Sequence, residues 1–288
     1  MNTLSIKFIF FGTPRRGAKI LEILKGGGLI PSLIVTAPDM PKGRGLKLSP
    51  SEVKQWAIEN EIPFLQPSNL EDASFRESIS KKKYQLGVVV SYGKMMPNWL
   101  LDLPQNGSLN LHFSLLPKYR GAIPAEAAIL NGDTETGVSV VLMDEKLDHG
   151  PIVGLTTYPM PDPLPTSFEL VEALSLIGGK LLLEVIPDFV AGKIQPREQE
   201  HVNASYTKKI RKEDGLIDLG ENPLTNWRKI QAYREWPKPY FFSQKKGQQI
   251  RVIIRDAKFE NGKLEILKVT PEGRKEISYS DWKKQSPL

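Results

Sequence analysis

Asn110, His112 and Asp148 are the residues whose types and spacing best suit chemistry at a carbonyl carbon. Asn110 and His112 stand two apart in SLNLHF (108–113). On a β-strand alternate side chains share a face, so both point the same way, while Leu109, Leu111 and Phe113 take the opposite face against helices. An amine that attacks a carbonyl carbon generates a tetrahedral oxyanion. A carboxamide N–H and a protonated imidazole are both donors for that oxygen. Asp148, in MDEKLDHG (143–150), can stabilise the imidazolium and accept, directly or through water, the proton the amine must lose. Such a route needs no covalent intermediate. That agrees with a chain that has no cysteine and no Ser-His-Asp order on a nucleophile elbow. Each residue also has a plainer reading. A histidine at a strand end is often a structural hydrogen-bonder, and Asp148 serves equally as a turn residue ahead of His149-Gly150.

Two neighbouring runs bear on a ligand. Ser114-Leu115-Leu116-Pro117 follows the strand and reads as an exposed apolar turn with free backbone groups, a surface suited to a flat molecule. Phe11-Gly12-Thr13-Pro14 is a glycine turn, but Pro14 and Arg15 stand where a dinucleotide fingerprint needs glycines. It reads as a structural turn or as a contact for some other ligand group.

The elements that would position these residues alternate along the first part of the chain. IKFIFFG (6–12) is the continuous apolar run of a buried parallel strand. Residues 15–25 carry apolar residues at helical spacing and stop at Gly26-Gly27-Gly28. LIPSLIVTA (29–37) reads as a strand, and 38–48 as a Pro/Gly-rich loop. A helix is predicted to start at Ser49, with Pro50 at N1 and Glu52 at N3 of a capping box. PFLQ, a helix near 71–83, LGVVVSYG (86–93), SLNLHF and TGVSVVLM (136–143) continue the alternation, which implies βαβ units and an open parallel sheet. A long helix is expected over 166–190. Residues 193–205 are polar and aperiodic, the composition of a linker open to protease. Beyond them, 223–234 looks helical and the remainder strand-like. Asn261-Gly262 lies between alternating arms as a type I′ hairpin signal.

Composition places the chain among soluble globular proteins: 288 residues, 40% apolar and 25% charged. No secretory leader and no run of about 18 apolar residues is seen, so the expected location is the cytoplasm. Without cysteine, and with three histidines, no metal site is expected. Charge is uneven. Residues 206–288 carry 19 Lys and Arg against 11 Asp and Glu, and the rest of the chain 20 against 22. A basic tail suits a polyanionic partner, although plain solubility charge would look the same.

Several segments together carry a resemblance: FFGTP (10–14), TAPDMPKGRGLKLSPSEVK (36–54), VVVSYGKMMP (88–97), NLHFSLLPKYRGAIP (110–124), TGVSVVLM and MDEKLDHG. In order and spacing, over nearly the whole chain, they resemble the folate-dependent formyltransferases, and among these the branch that acts on methionyl-tRNA. The Asn-x-His-x-Ser-Leu-Leu-Pro-x-x-Arg-Gly run is its most specific part. The resemblance implies a Rossmann-like α/β domain, an open mostly parallel sheet with helices on both faces, over 1–188. A linker over 189–205 and a small β-barrel of oligonucleotide-binding type over 206–288 would follow. It implies 10-formyltetrahydrofolate as donor, without a metal, and initiator methionyl-tRNA as acceptor, in a chain taken as a cytoplasmic monomer. It assigns catalysis to Asn110, His112 and Asp148, and the folate site to Ser114, Leu115, Leu116 and Pro117.

The loop over 38–50 is similar to one that reaches the acceptor end of tRNA. Lys42, Arg44 and Lys47 there, with Lys208 and Lys209 in YTKKIRKEDGLIDL (206–219), are expected tRNA contacts. REWPKPYF (234–241) extends the likeness. Arg15-Arg16 departs from the family, which usually has an acidic and then an aromatic residue. The tail departs in having fewer strands between its hairpin and VTPEGRKEI (269–277). An amino-sugar or nucleotide formyltransferase would keep the three catalytic residues without needing the basic loop and tail. An RNA-binding protein with a decayed site, or a dehydrogenase, fits less well.

Overall fold

The computed structural model describes residues 6–42, 47–245 and 247–285. By internal contacts the chain forms two compact units. The first comprises Met1–Arg120, Gly137–Tyr158 and Glu172–Tyr206, and the second Gly121–Thr136, Pro159–Val171 and Thr207–Leu288. The stretches 121–136 and 159–171, which a linear division assigns to the first part, thus fall with the tail, and 189–205 falls with the first unit.

The chain opens with β1 (Phe8–Gly12), α1 (Arg15–Gly26) and β2 (Leu33–Val35). β1 is buried along its whole length, which is why its sequence shows no alternation. β3 (Met40–Lys42) and β4 (Lys47–Ser49) then form an antiparallel ribbon where a loop was expected. α2 (Glu52–Glu59) follows. Its N-cap is Ser51, not Ser49: the Ser51 hydroxyl accepts from Lys54 N at 3.1 Å and is tied to Thr36 Oγ1 at 2.8 Å, while Ser49 ends β4. Next come β5 (Phe64–Leu65), α3 (Ala73–Ser80), β6 (Leu86–Val90), α4 (Asn98–Leu101) and β7 (Ser108–His112). After β7 the chain makes β8 (Arg120–Gly121), α5 (Pro124–Asn131), β9 (Glu135–Leu142), β10 (Ile152–Pro159) and α6 (Ser167–Val190).

One sheet of order β10-β9-β7-β6-β1-β2-β5 results. β7, β6, β1, β2 and β5 run parallel. β9 does not continue that pattern. It pairs antiparallel with β7, Ser139 opposite His112 and Leu142 opposite Leu109. The chain between them doubles back beyond the C-terminal end of β7, so β9 enters the sheet from that end.

Helices cover both faces. Ile9, Phe11 and Val89 share a core with Phe75 and Ile79 of α3 and Leu100 and Leu101 of α4. On the other face Phe10 lies against Gly17 of α1, and Leu111 against Gly178 of α6. The registers Phe11↔Val89 and Val89↔Asn110 put Asn110, and with it His112, on the α3/α4 side. The stretch read as an open linker is fastened to the first unit. Arg197 and Ile152 exchange both backbone hydrogen bonds (2.8 and 2.7 Å), and the Gln199 side chain is buried.

β11 (Tyr206–Thr207) and α7 (Pro223–Ala232) lead into the tail. α7 has the N-terminus its sequence implies, with the Asn222 side chain accepting from Leu224 N and Thr225 N, and Pro223 in the first turn. β12 (Tyr240–Lys245), β13 (Gln248–Glu260), β14 (Lys263–Pro271) and β15 (Ile277–Ser278) make an antiparallel, barrel-like sheet. Asn261 and Gly262 turn between β13 and β14 with φ of 51° and 74°, as a type I′ turn requires. β14 runs without a break to Pro271, so no further strand precedes VTPEGRKEI. A last helix, α8 (Tyr279–Gln285), replaces the expected strand and buries Trp282 with Phe241, Val252, Ile254 and Val269.

Candidate active site

The strand period does bring Asn110 and His112 to one face, and the loop after β9 folds back to meet them. Met143 N donates to Ser108 O, and Leu142 N to Pro151 O, which closes the base of that loop. Gly150 sits where a Cβ would lie 1.8 Å from Leu142 O, so no other residue fits there. Asp148 is at φ 48°, a conformation few non-glycine residues adopt. Its carboxylate Oδ1 accepts from Asn110 Nδ2 at 3.2 Å and stands 3.5 Å from His112 Nδ1.

The second ring nitrogen of His112 lies 2.9 Å from Tyr119 O. A carbonyl only accepts, so Nε2 carries a hydrogen and the ring orientation is set. In the neutral ring Nδ1 then presents a lone pair to Asp148. Only the imidazolium donates on both edges. The side chains of His112 and Asp148 are 6% and 10% exposed, so little water lies between them and any charge that develops there.

Other predicted site residues fall as follows. Ser114 and Leu116 are buried, and several of the turn's polar groups are engaged. Ser139 Oγ donates to Ser114 O (2.8 Å) and accepts from Leu116 N (3.1 Å), Ser114 Oγ donates to Lys118 O (2.6 Å), and Lys118 N to Leu115 O (3.1 Å). The turn is therefore less exposed than expected, and part of its backbone is bonded. Leu116 turns inward to Val141 and Ile152 because the apolar run has a core to fill, and Leu115 and Pro117 stay half-buried. Thr13 in the glycine turn ties two loops together, donating to Tyr92 O and accepting from Ala37 N. Lys42 and Lys47 are register partners in the ribbon, and Arg44 lies outside the described residues. Asp39 roots that ribbon: Gln66 Nε2 and Lys54 Nζ both donate to its carboxylate, and these bonds hold its pKa below the usual value. Lys208 and Lys209 are exposed, in the tail unit. Arg15 lies 3.8 Å from Glu172, and Arg16 over the Phe113 ring.

Residues that sequence reasoning passed over surround the Asp148 loop. Gln199 Nε2 donates to Asp148 O and to Gly150 O, and Arg120 donates to Gln199 Oε1. Arg120 stood in the Asn-x-His motif without a role. Gln199 lay in an aperiodic stretch with no local signal. A separate cavity of about 380 Å³, lined by Ser68 to Glu71 and Lys94 to Pro97, includes none of the three central residues. Among the described residues, no group of three or more His, Cys, Asp or Glu is placed to hold a metal ion. None of the described helices is long and apolar enough to cross a membrane.

The arrangement can polarise a carbonyl oxygen, with an amide and an imidazolium as donors, beside a carboxylate that takes a proton. Comparison with known proteins identifies the family. The formyl transferase family model matches residues 5–186. The methionyl-tRNA formyltransferase of Chloroflexus aurantiacus is 35% identical over 300 residues, 96% of each chain. That of Thermus thermophilus is 37% identical over 298 residues, 96% of this chain and 95% of its own. Among solved structures, the sugar 3N-formyl transferase WlaRD, in the presence of dTDP and 5-N-formyl-THF, gives a TM-score of 0.63 at 18% identity, over 94% of this chain and 99% of that one. HypX of Aquifex aeolicus, in complex with tetrahydrofolic acid, gives 0.64 at 14% identity, over 97% of this chain and 47% of its own. At such identities the two structures speak to the fold alone.

Proposed function

The chain belongs to the formyl transferase family, and we propose that it moves the formyl group of 10-formyltetrahydrofolate to the amino group of initiator methionyl-tRNA, giving N-formylmethionyl-tRNA for translation initiation. The observation that carries this is the convergence of Asn110 and His112 on Asp148 Oδ1, in a chain whose full-length relatives are methionyl-tRNA formyltransferases. The amine nitrogen adds to the formyl carbon, and the carbonyl electron pair moves onto oxygen. Asn110 Nδ2 and the Nδ1–H of a His112 imidazolium donate to that oxyanion. Asp148 takes the amine proton, directly or through water. Collapse of the adduct breaks the bond from carbon to N10, and N10 leaves with the proton that Asp148 took from the amine, so charge and atoms balance.

Ser114 to Pro117 are the proposed wall of the folate side, now through a fixed backbone and the half-exposed Leu115 and Pro117 rather than through an open ledge. Lys42, Arg44 and Lys47 are proposed to meet the acceptor end of the tRNA, and Lys208 and Lys209 its phosphates. The protein is taken to act as a cytoplasmic monomer.

The test is formyl transfer from 10-formyltetrahydrofolate to methionyl-tRNA, with a nucleotide-linked amino sugar as competitor, across a salt series. The expected result is preference for the tRNA, with affinity falling steeply with salt. Lys208→Ala with Lys209→Ala should flatten the log–log slope by about one unit for each phosphate that a lysine no longer neutralises. Transfer to the sugar amine with no salt dependence would make the amino-sugar activity the right one.

A further inference from the structure

We infer that the 197–206 segment is a splint for the reacting pair: Gln199 fixes the Asp148 loop, and Ser205 fixes the Tyr119 carbonyl that orients His112. The inference deepens the reading above and rests on it. Asp148 and Tyr119 are both non-glycine residues in the left-handed region, at φ 48° and 61°. Few L residues adopt this conformation without support from their surroundings. The two lie in different loops, and the support for both comes from one stretch of chain.

Gln199 is buried, and its carboxamide is fully used. Nε2 donates to Asp148 O at 2.9 Å and to Gly150 O at 2.7 Å. Oε1 accepts from Arg120 Nε at 3.2 Å and Nη2 at 2.7 Å. The guanidinium that holds it is itself buried, and reaches His201 Nδ1 at 2.8 Å and Tyr206 Oη at 3.2 Å. Both of those residues belong to the same segment. Ser205 grips the other side: its Oγ accepts from Tyr119 N (2.9 Å), its carbonyl from Arg120 N (2.8 Å), and its N–H donates to Pro117 O (3.2 Å). Asp148 and His112 are therefore referenced to one buried arginine and one strap of backbone. A shift of that strap changes the 3.5 Å separation between His112 Nδ1 and Asp148 Oδ1. Gln199 and Ser205 touch no reacting atom; they are positioning residues.

The experiment uses the full-length protein and three variants: Gln199→Met, which keeps the length and loses every hydrogen bond, Ser205→Ala, and His112→Ala. Turnover, KM for 10-formyltetrahydrofolate, the pH–rate profile and melting temperature are measured for each. Misplacing a reacting group by about 1 Å costs on the order of a hundredfold. Gln199→Met should therefore lose roughly ten- to a hundredfold in kcat. KM should stay near the wild-type value, and the limb of the pH profile set by the His112–Asp148 pair should move. Ser205→Ala should show a smaller loss with the same signature, and it carries the test alone if Gln199→Met does not fold. Folded variants with wild-type kcat and pH profile would overturn the splint, as would a loss that only tracks the unfolded fraction. If His112→Ala kept full turnover, the reaction assignment itself would fail; if it lost turnover while the splint variants did not, only the splint would.

Discussion

The loop over residues 143–150 supplies the aspartates of two histidine–aspartate pairs, and they are built in opposite ways. Asp144 Oδ2 meets His149 Nδ1 at 2.6 Å, with side chains 36% and 27% exposed, and the His149 ring lies flat on His201 at 4.1 Å. Asp148 Oδ1 stays 3.5 Å from His112 Nδ1, in a nearly buried setting, and shares the same oxygen with Asn110. The tighter pair is thus the wetter one. A contact this exposed is largely screened by solvent. In the looser, buried pair Asn110 Nδ2 and His112 Nδ1 converge on one carboxylate oxygen. What sets the proposed reacting pair apart is therefore not short distance but burial, convergence and a fixed ring orientation.

The comparison can be broken at three places. The largest effect is expected at the buried pair. Asp148→Asn and His112→Ala should each lower single-turnover transfer by about a hundredfold, about 3 kcal/mol in transition-state stabilisation, with folate still bound. Equilibrium folate binding measured beside the rate checks this, and a matching loss of binding would count against it.

A smaller effect is expected at Tyr92, a polar group of the same unit that is buried outside the reacting network. Burial raises its pKa from 10.0 to about 12. The folded state holds the phenol proton more tightly than the unfolded chain, so the associated stability is present below pH 10 and lost as pH rises towards 12. Tyr92→Phe should remove that alkaline loss, worth roughly 2.7 kcal/mol when complete and about half that at pH 11. Denaturant melts at pH 8 and pH 11 read it, and parallel declines in both proteins would refute it. The smallest effect is expected at the exposed pair, where Asp144→Asn should change transfer by no more than about twofold.

Much of the site was legible because it obeys short periods. Asn110 and His112 share a face by the two-residue repeat of a strand, and FIFFG and Asn261-Gly262 state their own conformations. What was hidden depends on distant partners. Gln199 bonds Asp148 and Gly150 across long separations, and nothing in PREQEHVN announces it. Apolar composition in SLLP says that the run packs, but not whether it faces a ligand or the interior, and here Leu116 faces the interior. Local signals point to Ser49, with Pro50 and Glu52 behind it; the cap is Ser51, whose hydroxyl is also bonded to the distant Thr36 Oγ1. α8 is a different case. Ser278 Oγ accepts from Asp281 N and donates to its carboxylate, a Ser-x-x-Asp start signal that was readable and was overridden by the strand-like texture around it.

The most direct test of the account sets the two aspartates of one loop against each other. Single-turnover formyl transfer to methionyl-tRNA is measured for Asp148→Asn and Asp144→Asn under identical conditions. The account predicts that the first falls about a hundredfold while the second stays within about twofold of wild type. Equal losses in both, or the larger loss in Asp144→Asn, would contradict it.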